Sequence, residues 1–369
     1  MGRLRSLDVF RGITVAAMLI VNNPGDWNTV YWPLLHAEWH GWTPTDLIFP
    51  WFLVVMGVAM ALAGPERAPW PAVLRRTALI VGLGLALSGF PYFNPARWRI
   101  PGVLVRIGLC YLAATLVWRS LARPDDPAAT VRRLAAATAA ILLAYWGLLM
   151  LVPPPGGVAG DLAPGRDLGA WLDRALLGGH LWKPDWDPEG LLSTLPAVGS
   201  TLLGVIAGLW LKTASPAKAT GVLAAGGVVL VVAGLAWGLV FPINKSLWTS
   251  SYVLFTAGAA AVVLAVLHRA LDGGRASPRA VAASEPLVAL GRNALLLFVL
   301  SGLVGRLLIL VQAGDGAGGR VSLQQAIYRS VFVPLATPRV ASLLYAITCL
   351  ALLYALLAWL HRRRWYWSA

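Results

Sequence analysis

Charged residues and cysteines are scarce in this sequence. Asp, Glu, Lys and Arg together make up 12% of its 369 residues, whereas 58% are hydrophobic. Soluble globular domains carry about twice that share of charge, so an ordinary soluble fold is excluded. There are two cysteines, Cys110 and Cys349, and both fall in apolar runs, where a thiol behaves as a small apolar side chain. Their number and placement predict neither a disulfide framework nor a cysteine metal site.

Long apolar runs are the main feature of the chain, and the mean hydropathy is +0.69. The runs are about 20 residues long, as an α-helix needs to be to cross a hydrocarbon core. The predicted fold class is therefore all-α, a polytopic integral membrane helical bundle of about ten transmembrane helices, with nine or eleven as alternatives. The ninth run carries Arg292 and Arg306, so a break, a tilt or an extension beyond the bilayer is expected there. The predicted spans are residues 7–24, 44–63, 71–90, 101–119, 133–152, 191–211, 218–241, 248–268, 285–311 and 340–361.

The net charge of +14 is distributed unevenly between the loops. Cytoplasmic loops of membrane proteins are enriched in Lys and Arg, which predicts that the N-terminus and the C-terminus both lie inside (N-in and C-in). We attribute the positive charge to this topology and to anionic lipid, not to nucleic acid. The basic residues of the predicted inner segments are Arg3, Arg5, Arg67, Arg75, Arg76, Arg119, Arg123, Arg132, Arg133, Lys212, Lys218, Arg269, Arg275, Arg279, Arg362, Arg363 and Arg364. The arginines that run against the pattern are Arg97, Arg99, Arg320, Arg329 and Arg339.

The loops predict a single integral membrane domain over residues 1–369. The largest excursion, the outer loop 153–190, is rich in Asp and too short for a separate domain, and the inner loop 270–284 is rich in small residues. No internal repeat of fixed period occurs, which argues against the inverted repeats of many transporters.

The stretch "HAEWHGWTPTDLIFPWF", residues 36–52, brings two histidines and two carboxylates to the start of the second apolar run. His36 and His40 are four apart and would share a helical face, but the HExxH pattern of a zinc site is missing, so no metal is predicted. A place in an interfacial aromatic belt is the alternative for both histidines. For His36 we favour catalysis, because an imidazole can accept a proton near neutral pH.

Two further residues flank this histidine in the predicted topology. Asp46 lies about one turn into the second helix, where it can orient the imidazole or act as an N-terminal carboxylate beside Thr43 or Thr45 as the cap. Asn22 ends the first helix, where its amide can donate to a carbonyl or contact another helix. Both alternatives stay open for each residue.

Other polar residues fall inside or at the ends of predicted spans, where they are expensive and often functional. Asp8 and Arg11 are one turn apart and can form an ion pair. Arg106 lies about two turns into a span and needs an anionic partner or a phosphate. The polar residues at the predicted outer ends of spans are Asp187, Glu189, Asn244 and Lys245. Each is either a functional residue or a helix cap or interfacial anchor.

Several long segments together resemble one family. They are "RLRSLDVFRGITVAAMLIVNNPG", "HAEWHGWTPTDLIFPWFLVVMG", "RIPGVLVRIGLCYL", "DPEGLLSTLPAVGSTLLGVIAG" and "PINKSLWTSSYVL", with a weaker match at "LGRNALLLFV". In this order they resemble the catalytic domain of the heparan-alpha-glucosaminide N-acetyltransferase family, from about residue 3 to residue 300. The resemblance implies an enzyme that moves an acetyl group from cytosolic acetyl-CoA to the amino group of a terminal glucosamine on the far side of the membrane.

The resemblance also implies roles for particular residues. The active-site histidine of the family falls on His36 and its active-site asparagine on Asn22, so His36 is expected to remove the amine proton and Asn22 to stabilise the oxyanion. A route through an acetyl-imidazole on His36 is the alternative. The amino sugar is expected at Asp187, Glu189, Asn244 and Lys245, and the CoA phosphates at Arg75, Arg76 and Arg106.

The compact form of the chain resembles bacterial relatives, without the additional N-terminal segment of the animal enzymes. It therefore predicts a multi-pass protein of the bacterial inner membrane, with the acceptor, an amino sugar or a glycan terminus, in the periplasm. A homodimer is expected by resemblance only. The rival functions are a sugar transporter or permease, with His36 as a gate or proton site, and a membrane scaffold without catalysis.

Overall fold

The computed structural model describes residues 4–64, 68–273, 276–314 and 319–363. Four arginines of the topology prediction, Arg3, Arg67, Arg275 and Arg364, lie outside these ranges. The helices are α1 (Arg5–Asn22), α2 (Ile48–Ala63), α3 (Trp70–Gly89), α4 (Val103–Leu121), α5 (Pro127–Leu151), α6 (Leu168–Leu177), α7 (Thr194–Thr213), α8 (Pro216–Trp237), α9 (Ser250–Leu271), α10 (Pro278–Ala283), α11 (Glu285–Arg292), α12 (Ala294–Leu310), α13 (Leu323–Ile327) and α14 (Pro338–Arg362). The strands are β1 (Gln312–Gly314) and β2 (Arg320–Ser322), paired antiparallel.

A helix lies at each of the ten predicted spans, and the predicted all-α membrane bundle is confirmed. In the described part of the chain, 8 helices are long and apolar enough to cross a membrane. A ninth span is possible if α11 and α12 act together, and this pair is bent by 76° at Asn293, in the run where a break was expected. Helix α1 is not among the 8, and its 18 residues include Arg5, Asp8 and Arg11. The number of spans and the N-in, C-in orientation stay predictions.

The chain packs as two compact units. The first unit comprises Met1–Leu7, Glu38–Trp42 and Phe49–Ala280, and the second comprises Asp8–Ala37, Thr43–Ile48 and Val281–Ala369. The single domain predicted over residues 1–369 stays a prediction.

Glycines allow the long helices of the first unit to pack closely. A Cβ on Gly57 of α2 would lie 2.1 Å from the carbonyl oxygen of Thr201 in α7, and one on Gly204 would lie 2.1 Å from that of Val54. Small residues at helix contacts are how membrane helices gain van der Waals packing, since apolar burial alone favours protein no more than lipid. Any larger residue at Gly57 or Gly204 would therefore separate α2 from α7.

The second unit is held together by polar contacts. Arg11 lies 3.6 Å from Asp8, the predicted pair, and Arg292 at the end of α11 lies 3.7 Å from the other oxygen of the same carboxylate. Beyond α1, the side chain of Asn23 donates to the hydroxyl of Ser301 in α12 at 3.1 Å. The hydroxyl of Ser342 in α14 accepts from the backbone N–H of Asp26, also at 3.1 Å. These contacts fix the chain just after Asn22.

Candidate active site

In the second unit, His36 lies on a loop and Asp46 lies in the short 3₁₀ turn, Pro44–Leu47, that precedes α2. The Nδ1 atom of His36 is 2.6 Å from Oδ1 of Asp46. The side chain of His36 is 48% exposed, whereas that of Asp46 is 1% exposed. The structure thus joins a buried carboxylate to an imidazole that a substrate can reach.

The other oxygen of Asp46, Oδ2, accepts from the backbone N–H groups of Ala37 at 3.0 Å and Thr43 at 2.9 Å. The hydroxyl of Thr43 donates to the carbonyl of Leu35 at 2.5 Å and lies 3.2 Å from Oδ2. Asp46 therefore makes the contacts of both roles considered from the sequence. It forms a capping box with Thr43 at the start of the helix, and it hydrogen-bonds the imidazole of His36. Its oxygens are already engaged, so it is not free to take a proton from a substrate.

This arrangement decides the tautomer of His36. An ionised carboxylate only accepts hydrogen bonds, so Nδ1 must carry the proton of the neutral ring. Nε2 then keeps its lone pair. A neutral imidazole held in this way can act as a general base or as a nucleophile.

Asn22 is the last residue of α1, and its side chain is exposed. Within the described residues its amide has no hydrogen-bond partner, whereas that of the neighbouring Asn23 donates to Leu19 and to Ser301. The two adjacent asparagines therefore differ: Asn23 is used by the fold, and Asn22 is available to a ligand.

In the first unit, the two predicted carboxylates converge on one arginine. Arg99 donates through Nε and Nη2 to the two oxygens of Asp187, at 2.8 and 2.6 Å, and through Nη2 to Glu189 at 2.5 Å. Burial would lower the pKa of Arg99, but the hydrogen bond and the charge of Asp187, together with Glu189, outweigh it and raise that pKa. The sequence reasoning missed this partner. Its one signal was that Arg99 ran against the predicted topology.

Arg106 is buried beside the same segment. Its Nη2 donates to the carbonyl of Gly190 at 3.0 Å and to the hydroxyl of Ser193 at 2.5 Å, and its guanidinium lies 5.0 Å from the ring centre of Trp248. The remaining donors, Nε and Nη1, are buried without a hydrogen-bond partner. An anionic partner or a phosphate was expected for Arg106, and both groups that its Nη2 hydrogen-bonds are neutral. That expectation stays a prediction.

The remaining predicted residues are Asn244, Lys245, Arg75 and Arg76. Asn244 is fully buried, its Oδ1 accepts from the N–H of Leu247, and its Nδ2 is 3.3 Å from Nδ1 of His40. Burial lowers the pKa of His40, in keeping with a neutral ring that accepts this bond. Lys245 is half-buried, and Arg75 and Arg76 are exposed near the start of α3.

The segments that carry this geometry match a known family. The family model of heparan-alpha-glucosaminide N-acetyltransferase, catalytic, matches residues 3–236, more than half of the chain. The chain belongs to this family. Two relatives, the heparan-alpha-glucosaminide N-acetyltransferases of Mus musculus and Homo sapiens, are each 29% identical to it over 80% of its length. The chain spans about half the length of these relatives, 53% of the first and 52% of the second.

The match to the heparan-alpha-glucosaminide N-acetyltransferase family covers some of the candidate residues and not others. It includes Asn22, His36 and Asp46 in the second unit, and the segment from Asp187 to Glu189 in the first. Asn244 and Lys245 lie beyond it. No group of three or more His, Cys, Asp or Glu side chains in the described ranges is placed to hold a metal ion.

A small cavity of about 20 Å³ adjoins Asp187. Trp39, Trp186, Asp167 and Asp173 line it. Burial raises the pKa of Asp173 from 3.8 to about 6, and the charges of Asp187 and Asp167 add to the effect, against the hydrogen bond from the N–H of Leu191. The carboxyl group of Asp173 therefore changes charge at about pH 6.

This pKa predicts how stability depends on pH. A raised folded-state pKa means that the folded protein binds the proton of Asp173 more tightly than the unfolded chain does. Stability from this group is complete below pH 3.8 and is lost as the pH rises to about 6. A pKa difference of about 2 corresponds to about 3 kcal/mol. We expect Asp173→Asn to raise the melting temperature at pH 7.5 and to reduce its fall between pH 5 and pH 7, measured in detergent. Asp185→Asn, a change at an exposed residue in the segment after α6, is the control, and an equal response would contradict the prediction.

Proposed function

We propose that this chain is a membrane N-acetyltransferase that moves an acetyl group from acetyl-CoA to the amino group of a glucosamine-type sugar. The observation that carries the proposal is the 2.6 Å hydrogen bond that holds the exposed ring of His36 on the buried carboxylate of Asp46. Family membership supplies the reaction type, and the substrates are inferred from the names of the relatives.

In the proposed reaction, the neutral amine of the sugar attacks the carbonyl carbon of the thioester. Nε2 of His36 takes the proton that the nitrogen loses as the C–N bond forms. The amide of Asn22 donates to the carbonyl oxygen while it carries negative charge. The C–S bond then breaks, and the CoA thiolate recovers the proton from the imidazolium. Asp46 keeps the ring in the tautomer that this sequence requires and stabilises the imidazolium.

Direct transfer is favoured over an acetyl-imidazole on His36. In the two-step route, His36 is acylated when the amine arrives, so another group must take the amine proton. Asp46 cannot do so, because its oxygens already accept bonds from His36, Ala37 and Thr43. The direct route needs no second base.

Binding of the substrates is proposed from charge. Arg99 already forms ion pairs with Asp187 and Glu189, so we assign these carboxylates to sugar hydroxyl groups. Asn244 and Lys245 are assigned to the same sugar. Arg75 and Arg76 are exposed and are assigned to the CoA phosphates. Arg106 is reassigned from the phosphates to the buried segment that it supports. The acceptor would be periplasmic, the membrane the bacterial inner membrane, and the protein a homodimer.

The test is incubation of the purified protein in detergent with acetyl-CoA and a panel of amino sugars, with free thiol and N-acetylated product measured together. Equal amounts of thiol and N-acetyl sugar are expected. Thiol without sugar product would mean hydrolysis and would contradict the assigned acceptor. Neither product, together with uptake of the sugar into proteoliposomes, would favour a transporter instead.

Asp46→Asn is expected to lower kcat by about 10- to 100-fold, with a smaller change in KM for the sugar, because the orientation and charge behind the imidazole are lost. A purely structural role would lower the amount of folded protein and leave kcat per folded molecule unchanged. Steady-state kinetics on a monodisperse fraction checks this. Glu38→Gln, an exposed carboxylate two residues from His36, is the matched control.

A further inference from the structure

Two tryptophans frame the segment "WKPDW", residues 182–186, which follows α6 in the first unit. The segment forms a turn in which the backbone N–H of Lys183 donates to the carbonyl of Trp186 at 3.1 Å. The turn brings the indole rings of Trp182 and Trp186 edge to face, with 5.5 Å between their centres. Neither ring is among the residues assigned above to catalysis or to substrates.

The two rings belong to a row of three tryptophans. The ring of Trp186 also lies edge to face with that of Trp39, at 5.0 Å between centres, and Nε1 of Trp39 donates to the carbonyl of Leu162 at 2.8 Å. Trp39 and Trp186 both line the small cavity beside Asp187. The tryptophan row (Trp39, Trp186 and Trp182) thus runs from this cavity to the surface of the first unit, where Trp182 is exposed.

The turn that carries Trp182 and Trp186 is fixed by its neighbours. The backbone N–H of Trp182 donates to Oδ2 of Asp187 at 2.8 Å, and Arg99 holds the same carboxylate. Arg174 of α6 donates through Nη1 to the carbonyl of Asp185 at 2.7 Å. A ligand would therefore meet a backbone that is already ordered, and little conformational entropy would be lost on binding.

The rings offer both apolar surface and hydrogen-bond donors. Trp182 is 53% exposed, although the ammonium of Lys183 lies 4.9 Å from its ring centre. In the part of the chain that the structure describes, the indole N–H groups of Trp182 and Trp186 have no hydrogen-bond partner. The charged side chains of Lys183 and Asp185, between the two rings in the chain, are also exposed.

These features match a sugar better than a lipid. A pyranose has an apolar face of C–H groups and an edge of hydroxyl groups, so it suits a flat aromatic ring with donors and acceptors beside it. A tryptophan that only anchors a protein at the bilayer interface borders an apolar helix surface. Trp182 instead lies on a turn with two charged residues, and its row ends at a cavity lined by carboxylates.

We propose that Trp182 and Trp186 bind the second sugar of a glycan acceptor, the unit to which the terminal glucosamine is linked. This rests on the proposed function, in which Asp187 and Glu189 of the same segment bind the terminal sugar. Trp182 stacks on the C–H face of the second ring, and the indole N–H groups donate to its hydroxyl oxygens. The two tryptophans thereby make a disaccharide end a better acceptor than a single amino sugar.

The test compares methyl glucosaminide with disaccharides that carry glucosamine, α- or β-linked, in front of a neutral hexose. Acetyl transfer is measured in detergent, and disaccharide binding is measured separately by calorimetry without acetyl-CoA. We expect the wild type to prefer one disaccharide in kcat/KM by about 10-fold, the effect of one aromatic contact. Trp182→Ala should reduce this ratio to about 1 and weaken disaccharide binding by about 10-fold, whereas Trp182→Phe, which keeps a flat ring, should retain most of both.

Trp359→Ala is the matched control. Trp359 of α14 is 48% exposed, and the guanidinium of Arg363 lies 4.5 Å from its ring centre, so it resembles Trp182 under Lys183 but lies in the second unit. The ratio of the wild type is expected for this variant. An equal loss in Trp359→Ala would mean that exposed tryptophans act through detergent or membrane contacts, and it would overturn the proposal.

Calorimetry separates this proposal from the proposed function. Weaker disaccharide binding by Trp182→Ala, with no acetyl transfer by any variant, would support the sugar site and contradict the transferase. Acetyl transfer with the same ratio of kcat/KM in the wild type and in Trp182→Ala would overturn the sugar site and leave the transferase in place.

Discussion

His36→Gln is expected to lower kcat/KM for acetyl transfer by about 10²- to 10⁴-fold, the range that a positioned general base contributes. Glutamine can still donate a hydrogen bond to the carboxylate of Asp46, but it cannot take up the proton of the attacking amine. Because the imidazole is 48% exposed, the melting temperature should stay close to that of the wild type. Parallel measurement of kinetics and thermal unfolding checks both parts.

His40→Gln is the matched control for this prediction, since the two histidines are four residues apart on the same segment. Nδ1 of His40 contacts Asn244, not the pair of His36 and Asp46. We expect most of the activity to survive in this variant. Retention of more than a tenth of the wild-type rate by His36→Gln would remove His36 from the proposed chemistry, whatever the behaviour of His40.

The helices could be predicted from sequence because each apolar run of about 20 residues has one stable form in a bilayer, in which the backbone satisfies its own hydrogen bonds. The bend between α11 and α12 could be anticipated as well, because Arg292 is charged and sits inside such a run. The division into two units could not be predicted. It depends on side-chain contacts between residues far apart in the chain, as between Asn23 and Ser301, and a hydropathy pattern carries no information on them.

The same distinction applies to the candidate site. His36 and Asp46 are ten residues apart, and the cap signal at Thr43 placed the carboxylate at the helix start, so their pairing was among the alternatives. Arg99 and Asp187 are 88 positions apart, and spacing alone cannot join them. Each was noticed separately, the arginine as a topology exception and the carboxylate as a possible ligand. Because the two form an ion pair, Arg99 is expected to stabilise the protein, and Asp187 is expected to meet sugar hydroxyl groups and not a second cation.

Arg99→Leu is expected to destabilise the protein by about 3–5 kcal/mol, the usual effect of removing one partner from a buried ion pair. The side chain of Asp187 is fully buried and that of Glu189 is 5% exposed, so both charges would remain in a site of low polarity without the guanidinium that hydrogen-bonds them. Asp187 also accepts from the N–H groups of Trp182 and Glu189, so the segment before α7 should loosen with it. Thermal or denaturant unfolding in detergent measures the loss, and limited proteolysis locates it.

Arg97→Leu is the matched control, because Arg97 is exposed and lies two residues before Arg99. Both variants remove one positive charge from the same loop, so a general effect of charge or of membrane topology would appear equally in the two. A contribution from the buried pair would appear with Arg99→Leu alone. If the two variants lose the same amount of stability, Asp187 and Glu189 do not need Arg99 to remain buried. These carboxylates would then be assigned to the ammonium group of an amino sugar.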